Sequence, residues 1–187
     1  MNQFVPKKVF LTKGVGKSRE KLQSFEMALR DAGIAPFNLV RVSSIFPPEC
    51  KIITKREGLK LISPGQILFV VLSDISVNEP NRLIASSVGL AIPEDSSVHG
   101  YLSEHHSFGQ NDDIAGDYAE ELAASMLAST NGFDMDEDLR YDEKKALWKM
   151  KGLNFKTRNI TQTALGDKNG LWTTVLAAAV LIMEPLK

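Results

Sequence analysis

Cysteine is nearly absent, Cys50 being the only one among 187 residues. A lone thiol cannot build an internal disulfide framework, and its scarcity fits a reducing, cytoplasmic setting. An excess of one charge is missing too, since 22 basic side chains face 23 acidic ones. Nucleic-acid binding ordinarily needs a basic face, so no such partner is expected. Long apolar runs are also lacking. The longest, Val175 to Met183, has nine residues, where about 20 are needed to span a bilayer. The opening MNQFVPKKVF has no apolar core of the secretory kind, so no membrane partner is expected either. What is present, 43% apolar and 24% charged residues, excludes a disordered or coiled-coil chain. With no internal repeat and no convincing linker, residues 1–187 are expected to form one domain.

Periodicity predicts a first strand over Lys8 to Thr12, then a loop, Gly14-Val15-Gly16-Lys17-Ser18, with Ser18 capping a helix that stops at Gly33. Leu22, Phe25, Ala28, Leu29 and Ala32 share one buried face of that helix. Glu26 is out of place there, about 40° from Leu22 on the helical wheel. Further strands are predicted over Phe37 to Val42, Gln66 to Ser73, Leu83 to Ile92 and Val98 to His106. Pro47-Pro48 forces the chain out of the sheet after the second strand. Asn111-Asp112-Asp113 caps a helix to about Ala128, and Asp134 to Lys151 reads as a short exposed helix. Strands over Phe155 to Ala164 and Trp172 to Met183 complete the chain. The order is α+β, and the nearly continuous apolar text of two strands implies cover on both faces. A stacked-sheet sandwich with outer helices does this.

Three residue groups invite a chemical reading. Gly14 to Ser18 ends like a phosphate-binding loop, but that loop needs a glycine at position 11, where Leu11 stands. A glycine-permitted turn is the better reading. His99, His105 and His106 lie near Glu104, yet on a strand only Glu104 and His106 share a face. A zinc site usually wants three or four ligands, so no metal is expected. Cys50 has no adjacent base and reads as an inert thiol. Ser43-Ser44, taken alone, is a turn before Pro-Pro.

The wider segment around those serines changes the reading. Phe37-Asn38-Leu39-Val40-Arg41-Val42-Ser43-Ser44-Ile45-Phe46-Pro47-Pro48-Glu49 resembles the cleavage segment of the pyruvoyl-dependent arginine decarboxylases. Ser87 to Pro93, Asp95-Ser96, Gly100 and Glu104 form a second match, and Phe25 to Leu29 with Ala32-Gly33-Ile34 a third. The resemblance implies a four-layer αββα sandwich, assembled as a trimer or a pair of trimers with active sites between subunits. It also implies self-cleavage between Ser43 and Ser44, giving residues 1–43 and a pyruvoyl-bearing chain 44–187. Ser44 supplies the nucleophile and the future ketone, which holds the substrate's amino group as a Schiff base without pyridoxal phosphate or metal.

By the same resemblance Asn38 donates to the oxyanion during cleavage. Glu104 protonates the product and is expected in an apolar pocket that raises its pKa. Glu26, Leu29, Ser43 and Ile45 match the substrate pocket, with Glu26 where archaeal members carry aspartate for the guanidinium. The implied reaction is L-arginine to agmatine and carbon dioxide. Decarboxylation of another amino acid, or an oligomeric scaffold that never cleaves, are the alternatives.

Overall fold

The first strand, β1 (Lys8–Ser18), runs through the glycines without a break. This is seen in a computed structural model that describes residues 4–133 and 139–183. It lies inside a five-stranded sheet of order β2-β5-β9-β1-β4, comprising β2 (Asn38–Arg41), β4 (Lys51–Ile53), β5 (Ile67–Val77) and β9 (Trp172–Ile182). β1 is antiparallel to β9, from Lys8 opposite Ile182 to Ser18 opposite Trp172, and parallel to β4. The second sheet is four-stranded, β3-β7-β6-β8, built from β3 (Ile45–Phe46), β6 (Leu83–Pro93), β7 (Gly100–Phe108) and β8 (Phe155–Leu165).

Helix α1 (Lys21–Asp31) covers the outer face of the first sheet, and α3 (Asp112–Thr130) covers that of the second. Short α2 (Lys55–Leu59) lies beside β1, and α4 (Tyr141–Met150) packs beside α3. The result is an α+β sandwich of four layers, αββα.

The alternation of side chains explains the apolar text of β9. Leu176, Ala178 and Val180 face α1 with Phe10, Ala28 and Leu72. Ala177, Ala179 and Leu181 face the other way, against Val88, Leu90 and Leu102 of the second sheet. A strand buried on both sides has no polar positions to alternate with.

Several expectations need correcting. Gly14 and Gly16 do not form a turn: a Cβ on Gly14 would stand 2.2 Å from the Ala28 carbonyl oxygen, and one on Gly16 2.1 Å from that of Ser24. The glycines admit the backbone of α1 directly onto the strand, a close approach no larger residue allows. Ser18 caps nothing, because the ladder with β9 holds it extended; Glu20 occupies the N-cap position without a side-chain cap bond. β3, β4 and α2 are too short for periodicity to reveal. α4 is not simply exposed, for Trp148 is buried against Ala123, Ala124 and Leu127. Residues 134–138 of that expected helix lie outside the described residues. Among the described residues, no helix is long and apolar enough to cross a membrane.

Candidate active site

The two sheets meet at one side where the chain passes from β2 to β3. β2 runs parallel to β5, with Arg41 opposite Val70, and the Val42 N–H still donates to the Val70 carbonyl at 3.0 Å. There the ladder ends. Ile45 then pairs with Tyr101 on the other sheet, so Ser43 and Ser44 span the gap. Pro47 and Pro48 follow at once and stop β3 after two residues.

Outside both ladders, the serine backbone finds specific partners. The Ser43 carbonyl accepts from the Ile45 N–H at 3.1 Å, and the Ser44 carbonyl from the Leu102 N–H at 2.7 Å. Ser44 is half-buried, Ser43 exposed. Beside them lies a largely apolar cavity of about 430 Å³, lined by Val42, Ser43, Ile45, Pro47, Pro48 and Phe69 among others.

Glu104 stands two residues beyond Leu102 on β7, so both side chains point toward the first sheet. Its Oε1 accepts from the Leu72 N–H on β5 at 3.1 Å. The reason is local: with β2 gone after Val42, that edge of β5 has no strand to pair with, and side chains satisfy it instead. The Leu72 carbonyl accepts from Arg41 Nη1 at 2.9 Å, while Arg41 Nη2 donates to the Asp74 carboxylate. Glu104 is exposed in the single chain, not enclosed in the apolar pocket expected of it. Among the described residues, no strand lies on that stretch of the β5 edge, beside the polar contacts named.

The remaining expected residues lie elsewhere. Glu26 and Leu29 are on α1, over the outer face of the first sheet; Leu29 packs against its core. Glu26 accepts from Arg30 Nε at 2.6 Å, one helical turn on, and with Arg30 lines a separate cavity of about 380 Å³. Asn38 opens β2 and donates its amide to the Gly65 carbonyl at 3.0 Å. At about 3.3 Å per residue, the four steps from Asn38 to Val42 alone span on the order of 13 Å. Ser43, Ser44, Ile45 and Glu104 are thus brought together within one chain, whereas Glu26, Leu29 and Asn38 are not.

The other motifs acquire structural explanations. His105 turns away from Glu104, stacking on Tyr118 at 4.5 Å and bonding Gln110. His99 packs edge-on to Tyr101. Cys50 packs beside the inter-sheet core, and burial pushes its thiol up to about 11. Sequence reasoning missed the backbone donors of Ile45 and Leu102, which no residue type announces. It also gave no role to Arg41, which stands within the matched segment as a cation just before a strand break.

Comparison with known proteins places the chain in a family. The family model described as "Pyruvoyl-dependent arginine decarboxylase (PvlArgDC)" matches residues 8–185. A relative from Chloroherpeton thalassium, named "Probable pyruvoyl-dependent arginine decarboxylase", is 59% identical over 179 residues, covering 96% of this chain and 98% of its own. One from Nitrosopumilus maritimus, named "Pyruvoyl-dependent arginine decarboxylase", is 55% identical over 183 residues, 98% of this chain and 100% of its own. The "Pyruvoyl-dependent arginine decarboxylase 2" of Methanosarcina acetivorans is 52% identical over 178 residues, 95% of this chain and 97% of its own. With the family model matching residues 8–185 and these relatives more than half identical over nearly the whole length, the chain belongs to the pyruvoyl-dependent arginine decarboxylase family.

Proposed function

We propose that the chain cuts its own backbone between Ser43 and Ser44, and that the pyruvoyl group left at residue 44 serves to decarboxylate L-arginine to agmatine and carbon dioxide. The observation that carries this reading is the position of the two serines. They lie outside both ladders, with a backbone donor already on the Ser43 carbonyl oxygen. In cleavage, Ser44 Oγ adds to the Ser43 carbonyl carbon, the C–N bond breaks, and an ester links Ser43 to the Ser44 side chain. Loss of the Cα proton of residue 44 expels the Ser43 carboxylate as a new C-terminus. One water then enters and one ammonia leaves, so residue 44 ends as a ketone. The Ile45 N–H faces the oxygen on which negative charge develops in the first step.

Ser44 fits the group that would replace it, because its carbonyl is already anchored to β7 through Leu102 and its side chain needs no other role. The ketone supplies the electron sink for decarboxylation. The chain's own residues do the rest. Leu102 holds residue 44 in orientation. Glu104, on the same face of the same strand, holds the proton delivered to the product's α-carbon. Ser43 and Ile45 form the near wall of the substrate site.

Glu26 receives the substrate guanidinium and Leu29 lines that end. Since Glu26 and Ser43 line different cavities of one chain, a complete site needs a second copy. This supports a homo-oligomer, a trimer or a pair of trimers, working in the cytoplasm with no metal or pyridoxal phosphate. The neighbouring chain also covers Glu104, excludes water from it, and brings Asn38 to the cleavage site.

Intact mass under denaturing conditions tests the reading. Two fragments matching residues 1–43 and 44–187 are expected, the larger carrying a carbonyl that borohydride reduces. An uncut chain in fully folded protein would leave the non-cleaving scaffold as the reading. Carbon dioxide release from a panel of amino acids separates arginine from other substrates.

A further inference from the structure

The edge of β5 vacated by β2 is held by two side chains of opposite charge at a single residue. Leu72 directs its N–H and its C=O to the same side of the strand, as every residue of a ladder does. Glu104 takes the N–H at 3.1 Å and Arg41 donates to the C=O at 2.9 Å. Arg41 reaches further to the Asp74 carboxylate, so its planar fork bridges two points of β5. At the same time its own backbone is fixed in β2, opposite Val70 and two residues before Ser43.

We propose that Arg41 is a positioning residue for Glu104. By filling the carbonyl of Leu72 and tying it to Asp74, Arg41 immobilises the peptide edge whose N–H fixes the Glu104 carboxylate. The inference rests on the assignment of Glu104 as proton donor. The physical reason is that, among the described residues, no strand pairs there: an unpaired edge with one open carbonyl can shift along its length, and the carboxylate hydrogen-bonded to it shifts with it. A displacement of about 1 Å in a catalytic group can cost on the order of a hundredfold in rate. Substrate affinity depends on other residues and is not moved by the same displacement.

The test compares Arg41→Met, Arg41→Lys and Asp74→Asn with the parent protein, using carbon dioxide release from arginine after denatured mass has confirmed self-cleavage. Arg41→Met is expected to lower kcat by about ten- to a hundredfold with KM within twofold. Arg41→Lys, which can reach one partner but not both, recovers part of the loss. In a Glu104→Gln background, Arg41→Met should add nothing, because the group it positions is gone. A merely structural arginine would instead lower both backgrounds equally, and that result overturns the proposal. So does a kcat in Arg41→Met within twofold of the parent. Should Arg41→Met fail to fold, Asp74→Asn reads the same kcat–KM split from one contact, and an unchanged kcat there overturns it too. If the parent shows no cleavage or no turnover, the functional reading itself fails, a result distinct from any of these.

Discussion

Two short segments ending in serine both read as turns in the sequence and could hardly differ more in the fold. Gly14 to Ser18 follows a strand and precedes a helix, as does a phosphate-binding loop, yet it is paired residue by residue with β9 to its last position. Val42 to Ser44 carries no glycine, and it leaves one sheet before joining the other. In the first segment the backbone pairs with β9, both glycines press against α1, and the Val15 N–H donates to the Asp31 carboxylate. In the second, the carbonyls of Ser43 and Ser44 meet lone N–H groups from Ile45 and Leu102 instead of a continuous strand. Chemistry on a backbone needs a peptide bond that can be approached and whose oxygen has a donor waiting. Residue type alone does not reveal this; the position relative to the ladders does.

The sharpest test exchanges the two serines. Ser44→Ala removes the nucleophile and should leave the chain whole in a denatured mass spectrum, with no arginine decarboxylation at all. Ser18→Ala, at the end of β1, should be cut and should turn over as the parent does. Cleavage persisting in Ser44→Ala would falsify the assignment of that residue.

Glu104→Gln separates the making of the group from its use. The amide can still meet the Leu72 N–H through its oxygen, so folding and cleavage should survive. It has no acidic proton to deliver, and kcat should fall by about a hundred- to ten-thousandfold. Turnover within tenfold of the parent would point to another donor.

A third contrast concerns the glycines themselves. Gly16→Val places new atoms against the backbone of Ser24, Met27 and Ala28, none of which can move without displacing α1. Overpacking of this kind ordinarily costs about 1–3 kcal/mol, and contact with backbone sets the expectation at the upper end or beyond. Urea unfolding should show a midpoint lowered accordingly, while Ser18→Ala stays within about 0.5 kcal/mol of the parent. A Gly16→Val chain as stable as the parent would mean that the helix can stand off the strand after all.

How much of this was legible beforehand follows the same division. The major strands and α1 and α3 were visible because long amphipathic or doubly buried segments leave a period in the text. β3 and β4, two and three residues long, leave none. The segment around Ser43 and Ser44 was singled out only through resemblance, since serines before two prolines read locally as a turn. Glu26 read as out of place because the wheel put Leu22 on the buried face; Leu22 is in fact exposed, and Glu26 beside it meets Arg30, four residues on. The loop reading of Gly14 to Ser18 failed because small residues serve close packing as readily as they serve turns.

Glu26→Gln sharpens that point at smaller scale. If the carboxylate receives the substrate guanidinium, losing its charge removes a charge-assisted pair worth about 1.5–3 kcal/mol when desolvated. KM for arginine should rise at least about tenfold with self-cleavage complete and kcat little changed. An unaltered KM would leave Glu26 as the surface partner of Arg30 and nothing more.

Cys50 is expected to give the smallest effect, and for a reason that completes the contrast. It sits just past Pro47, Pro48 and Glu49, close in sequence to Ser43 and Ser44, yet its side chain packs beside the inter-sheet core with Val42 and Ile52. Burial opposes the thiolate and raises the thiol to about 11, the nearby Lys7 offsetting only part of this. At pH 8 such a thiol is ionised in about one molecule in a thousand, against about a quarter for an ordinary cysteine near 8.5. Alkylation of the folded protein by iodoacetamide should therefore run at least about a hundredfold slower than that of a free thiol. Cys50→Ala should cleave and turn over within about twofold of the parent. Rapid labelling accompanied by loss of activity would place a reactive sulfur beside the site, and the inertness assigned to Cys50 would have to be given up.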